Sequence, residues 1–175
     1  EVASGTYSAI TGGILNTASG YASVVCCGRN NESSASYATI CGGLSNSVSN
    51  IRSFIGGGYN NNVSGQFAVV SGGQTNTASN TYAVVSGGVS NTASGIESIV
   101  GGGNFNQATG QGSVIPGGTN NVAGGAFSFS AGRSPFMETV SSPNCTVGIF
   151  QKFYVNCINL ITAFSFKFIF DWFNI

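Results

Sequence analysis

From Tyr82 to Gly95 the chain reads YAVVSGGVSNTASG, one copy of a pattern that returns every fifteen residues. With Tyr82 taken as position 1 of its unit, the same position is held by Tyr7, Ala22, Tyr37, Arg52, Phe67, Glu97, Gly112 and Phe127, without insertion or deletion. Position 2 is always Ser or Ala. Position 4 is β-branched and aliphatic from Ile10 through Val25, Ile40, Ile55, Val70, Val85 and Val100 to Ile115, and ends at Ser130. Position 6 is glycine except at Cys27, and position 7 is glycine from Gly13 to Gly118 before giving way at Arg133. Position 10 is asparagine in eight successive units, at Asn16, Asn31, Asn46, Asn61, Asn76, Asn91, Asn106 and Asn121. Repetition at a short fixed period is the signature of stacked-repeat architectures.

A unit of this length buries nothing by itself, so neighbouring units must stack and share a core. A helical hairpin does not fit, and paired glycines with β-branched residues oppose helix in any case. The reading is an all-β fold, a parallel β-solenoid of about nine coils, with equivalent residues about 4.8 Å apart and a stack roughly 43 Å long. Positions 1 to 5 form one expected strand and positions 9 to 13 a second. Turns fall at the Gly-Gly pair and near positions 14 and 15. Position 14 is Gly or Asn at Gly20, Asn50, Gly65, Asn80, Gly95, Gly110 and Gly125, residue types that tolerate positive φ in tight turns.

Strand alternation sorts the positions into faces. Positions 2, 4, 10 and 12 face a thin lumen, and the asparagines form a ladder whose amides pair between coils, as buried polar groups must. Position 3 then points outward, yet it is apolar at Val24, Phe54, Val69, Val84, Ile99, Val114 and Phe129. A stripe of that length exceeds the patch a soluble monomer normally exposes and predicts burial against another chain. Stripes parallel to a solenoid axis suit cyclic association. The competing reading reverses the two faces and puts position 3 in the lumen.

Composition narrows the function. Five basic and five acidic residues give zero net charge, charged residues make up 6% of the chain, and there is no histidine. The only aspartate is Asp171. General acid–base, metal and charge-relay sites lack their usual groups, so a non-enzyme without cofactor is expected. Isolated basic residues give no footprint for nucleic acid. The glycine turns lack the Lys-Ser/Thr of a phosphate loop, and a calcium-binding solenoid needs an aspartate in each repeat. Glu32 and Glu97 stand alone at different positions and read as solvated charges.

Residues 82–95, and the last copy SVIPGGTNNVAGGAFSFSAGR from Ser113 to Arg133, resemble the head repeats of trimeric autotransporter adhesins, the YadA-like head family. The resemblance covers residues 1 to 133. It implies a left-handed parallel β-roll, a homotrimer, and an extracellular or bacterial cell-surface head that attaches to host extracellular matrix, cell-surface ligands or other surfaces. The best-known heads use a repeat about one residue shorter, and no local ligand motif carries over. Similar repeats occur in phage or viral fibres. The family's coiled-coil stalk and outer-membrane anchor have no counterpart here, so membrane association would come only through parts outside this chain. The opening at Glu1, in the middle of a repeat, is expected of a fragment or processed product.

Two domains are expected, a repeat domain over 1–133 and an aromatic-rich tail over 134–175. Eight of the thirteen phenylalanines lie in the tail, and Phe164 to Trp172 alternate as a strand with one apolar face. Residues 155–175 make a poor membrane helix because Asn156, Asn159, Lys167 and Asp171 interrupt them. One strand cannot close a barrel. A competing reading makes the tail a frameshifted continuation: the codons of residues 136–142, read one base earlier, can spell the His-Gly stretch that often follows Ala-Gly-Arg in the family.

Five cysteines give no disulfide framework by count. Cys26 and Cys41 share position 5 in adjacent coils, within the span of a disulfide. The competing reading is replacement of small turn residues without function, and zinc at Cys26, Cys27 and Cys41 lacks a fourth ligand. Cys27 would be strained if position 6 requires positive φ. An alternative function is ice binding, from the outward hydroxyl pairs Thr17/Ser19, Ser47/Ser49, Thr77/Ser79 and Thr92/Ser94, but Glu32, Asn62, Gln107 and Val122 interrupt that array.

Overall fold

The computed structural model describes residues 1–140. Cys145, Cys157, the alternating stripe 164–172 and the rest of the tail lie outside the described residues. The chain winds into a β-solenoid of about eight turns of about fifteen residues, with no helix among the described residues. That is one turn fewer than the repeat count suggested.

Two parallel sheets run the length of the stack. Positions 3 and 4 build an eight-stranded sheet of two-residue strands from Ala9–Ile10 to Val114–Ile115. Positions 11 and 12 build a ten-stranded sheet that starts at Val2–Ala3 and Thr17–Ala18 and ends in the longer strands Gly118–Ala123 and Gly132–Val140. Register is one full repeat at every step up to Gly118–Ala123, as in Val69↔Val84 and Thr77↔Thr92. A third column of single bridges runs through position 8, from Ile14↔Arg29 to Asn104↔Thr119. The regular strands are therefore shorter than expected, and the cross-section has three paired sides rather than two.

The lumen is filled from positions 2, 4, 10 and 12. Val25, Ile40, Ile55, Val70, Val85, Val100 and Ile115 are fully buried, and opposite them lie Ala18, Val48, Val63, Ala78, Ala93 and Ala108. The position-3 residues stay on the outer surface, exposed or half-buried, so the reversed-face reading does not hold. β-Branched side chains suit the strand, and small partners across the lumen let two sheets of two-residue strands close on so thin a core.

The corners differ from expectation. Among the described residues, every non-glycine residue with positive φ lies at position 1 or position 9, for example Tyr37 (59°), Phe67 (57°), Leu15 (59°) and Ser90 (55°). From the second coil on, the backbone N–H at each of these corners donates to the preceding coil, as Tyr37 N–H does to Tyr21 O at 2.8 Å and Ser45 N–H to Arg29 O at 3.0 Å. Strand N–H groups instead donate to the following coil, as Val24 N–H does to Ala38 O at 2.9 Å. A left-handed residue bearing a side chain costs about 1–2 kcal/mol, and this inter-coil hydrogen bond offsets it.

Position 14 keeps negative or extended φ, contrary to the turn reading. Its glycines answer to crowding instead: a β-carbon on Gly95 would lie 2.0 Å from the Gly110 carbonyl oxygen. At Asn50 and Asn80 the turn takes another form, in which the side-chain amide donates to the next coil, Asn50 Nδ2 to Ser64 O at 2.8 Å. Position 6 does not require positive φ either, since Gly12, Gly42 and Gly72 lack it, and Cys27 sits there without strain.

The last turn slips. Gly132 pairs with Gly118, fourteen residues away, and after a register shift Glu138 pairs with Asn121. The strand Gly132–Val140 thus runs past the domain boundary set at Arg133.

Candidate functional surfaces

The asparagine column is the most regular feature of the interior. Asn31 Oδ1 accepts the backbone N–H of Asn46 at 3.0 Å and its side-chain amide at 3.1 Å. Asn31 Nδ2 donates to Cys27 O in its own coil at 3.2 Å and to Gly43 O in the next at 3.0 Å. The backbone N–H bond and the two carbonyl bonds recur at Asn76 and Asn91 and on to Asn121, where Gly132 O receives the last bond at 2.8 Å, while the amide–amide bond joins Asn16 through Asn61 and Asn91 through Asn121. The left-handed residue at position 9 turns the following N–H inward, where no strand can meet it, and an amide is the short side chain that both accepts that N–H and donates to two carbonyls. This is wider than amide–amide pairing: the side chain closes the backbone at each corner. Position 7 completes it, because Gly13, Gly28 and their equivalents carry φ between 85° and 113° and lie against the amide.

Position 2 behaves differently. Ser53 Oγ donates to Gly65 O at 2.7 Å and Ser98 Oγ to Gly95 O at 2.7 Å, but Ser23, Ser113 and Ser128 bury hydroxyls that have no partner.

On the outer face of the eight-stranded sheet, Val24, Thr39, Phe54, Val69, Val84, Ile99 and Val114 are successive Cα partners, and a bridge adds Phe129. The position-3 row is therefore in register along the sheet, its apolar run interrupted by Thr39. The ten-stranded sheet shows the opposite character, its position-11 row reading Thr17, Glu32, Ser47, Asn62, Thr77, Thr92, Gln107 and Val122 in register. Beside it a shallow groove of about 430 Å³ is lined by Asn30, Glu32, Ser45, Ser47 and Asn60.

A third surface was not singled out from sequence. The side chains of position 1 form a ladder along one corner. Phe67 and Tyr82 stack with centroids 5.0 Å apart and planes 7° apart, and the Arg52 guanidinium carbon lies 5.6 Å from Phe67 and 5.8 Å from Tyr37. Tyr7 and Tyr37 continue it through Tyr21, the position-15 ring beside Ala22, by edge-to-face contacts at 5.5 and 5.6 Å. Position 1 tolerates many residue types, so the column looked unconstrained, yet aromatic rings at a spacing close to the coil rise were the available signal.

The described cysteines carry free thiols, so the structure holds no Cys26–Cys41 disulfide. Cys27 Sγ donates to Cys41 O at 3.3 Å. Burial pushes the Cys41 thiol above its ordinary value, and the adjacent Cys26 adds to the shift. Among the described residues no group of three His, Cys, Asp or Glu is placed to hold a metal ion, and no helix is long and apolar enough to cross a membrane.

No protein-family model matches the chain, and no curated protein matches it. The functional reading therefore rests on the surfaces themselves.

Proposed function

We propose that the repeat region is a non-enzymatic, adhesin head-like module that works outside the cell or on a bacterial surface, and that it assembles as a trimer through the position-3 stripe. The observation that carries the proposal is the apolar outer face of the eight-stranded sheet. Covering such a face contributes about 25 cal/mol per Å² of apolar surface removed from water, and a straight stripe lets identical chains meet around one axis. Assembly in this way leaves the Ser/Thr/Asn rows of the other sheet free to contact host matrix, cell-surface ligands or other surfaces. The ice-binding alternative is less well supported, because only Thr77 and Thr92 stand as neighbouring threonines in the position-11 row.

Light scattering on the full chain tests the assembly. Three chains are expected, and Val69→Lys with Val84→Lys should return a folded monomer; a monomeric parent protein would overturn the trimer. Beads coated with the protein should adhere to matrix-coated and cell surfaces above albumin-coated controls, and equal adhesion would overturn the attachment role. Thermal hysteresis in the parent protein would transfer support to ice binding.

A further inference from the structure

Beyond attachment in general, we propose that the break in the position-1 ladder at Glu97 and Gly112 recognises an arginine side chain of a partner polypeptide. The chain carries the precedent for such a contact. Tyr37 and Phe67 stand two coils apart, and the planar cation of Arg52 occupies the rung between them at 5.8 and 5.6 Å from their ring centres. Phe67 then covers one face of Tyr82, which directs the other face toward the next coil, where the rung is Glu97.

On the far side of Glu97 the rung is Gly112, which has no side chain, and the ring of Phe127 drops into that space. A β-carbon on Gly112 would lie 2.6 Å from Phe127 Cδ1. Phe127 therefore acts one coil early. Tyr82 and Phe127, three coils apart along the backbone, thus stand on either side of the Glu97 rung, with the Phe127 ring reaching back over Gly112 toward it. The central rung is now a carboxylate rather than a cation.

An aromatic face and a carboxylate both attract positive charge. The Glu97 carboxylate has no hydrogen-bond or ion-pair partner among the described residues, and Tyr82 and Phe127 are 51% and 58% exposed. A guanidinium fits best because it is flat enough to stack on a ring while its fork of N–H donors meets the carboxylate; an ammonium supplies charge without the plane. The site needs one chain only, so light scattering reports on the trimer and a titration reports on this site, and the two proposals fail separately.

The test titrates the full-length ¹⁵N-labelled protein with a capped Gly-Arg-Gly peptide, beside Gly-Lys-Gly and Gly-citrulline-Gly peptides. Saturable shifts are expected at the amides of Glu97, Gly112 and Phe127 with the arginine peptide, weaker with lysine and absent with citrulline. Affinity should fall at least about fivefold in Glu97→Gln and in Phe127→Ala, the scale of one ion-pair or cation–π contact. The second variant places at position 1 the residue that Ala22 already supplies there. Equal response to citrulline, equal affinity for lysine, or unchanged affinity in Glu97→Gln would each overturn the proposal.

Discussion

Gly73 lies so close to Asn76 that a β-carbon on the glycine would stand 2.6 Å from the asparagine Nδ2. The two residues act as one corner device. Asn76 donates to Gly72 O and Gly88 O, both at 2.9 Å, and accepts the Asn91 backbone N–H at 3.0 Å. Gly73 holds φ at 89° to make room for it.

Asn76→Ala should therefore cost about 3 kcal/mol, the scale of leaving buried backbone groups unpaired. Gly73→Ala should cost at least about 2 kcal/mol, from its left-handed backbone and the clash with the next coil. The double variant should cost less than the sum, because each change disables the same corner. Urea unfolding of all four proteins measures this, and strict additivity would refute the coupling.

Ser113→Ala should be neutral or stabilising by up to about 1 kcal/mol, since it removes a buried hydroxyl with no partner. Ser53→Ala should instead cost about 1 kcal/mol, because its hydroxyl bonds Gly65 O at 2.7 Å. Melting temperatures of the pair should move apart, and equal shifts would count against the distinction.

At Ala22 the backbone holds φ at 51°. Ala22→Gly relieves left-handed strain of about 1–2 kcal/mol against a chain-entropy cost of about 0.5–1 kcal/mol. A net gain of a few tenths to 1 kcal/mol is expected. The same exchange at Ala83, buried at position 2 and without positive φ, should destabilise. Thermal unfolding of the two variants decides between them.

Stability should also fall at alkaline pH through Cys41. Its folded pKa is raised above the ordinary value of 9.0 by burial first and by Cys26 second. A raised acid contributes stability that is fully present below the unfolded pKa and is lost as pH rises from about 9.0 through the folded value. Under reducing conditions, the urea midpoint of Cys41→Ser should decline less than that of the parent above that pH. Iodoacetamide should modify exposed Cys27 before Cys41.

Much of this architecture can be read from residue columns, because a constant step forces like to stand over like. Position 4 had to be buried once Ile10 to Ile115 repeated without a break, and the asparagines at position 10 could face inward only if paired. Local backbone geometry was harder to see. Glycine at position 14 suggested positive φ, but that conformation belongs to Tyr, Phe, Arg and Leu at positions 1 and 9, where an inter-coil hydrogen bond overrides intrinsic preference. The bridges at position 8 escaped notice because Ile14, Arg29, Leu44, Tyr59 and Gln74 share no side-chain character; their common feature is a backbone bond. The Glu97 site was hidden for a related reason: it depends on Phe127 leaning over Gly112, and no single repeat contains both.

The opposed donor directions at corners and strands have a mechanical corollary. Each winding between the first and the last is gripped from both neighbours, its corners by the winding before and its strands by the winding after. A molecule pulled by its two ends should pay out in even clicks rather than stretch smoothly, each click freeing one winding, about 50 Å of slack for fifteen extended residues.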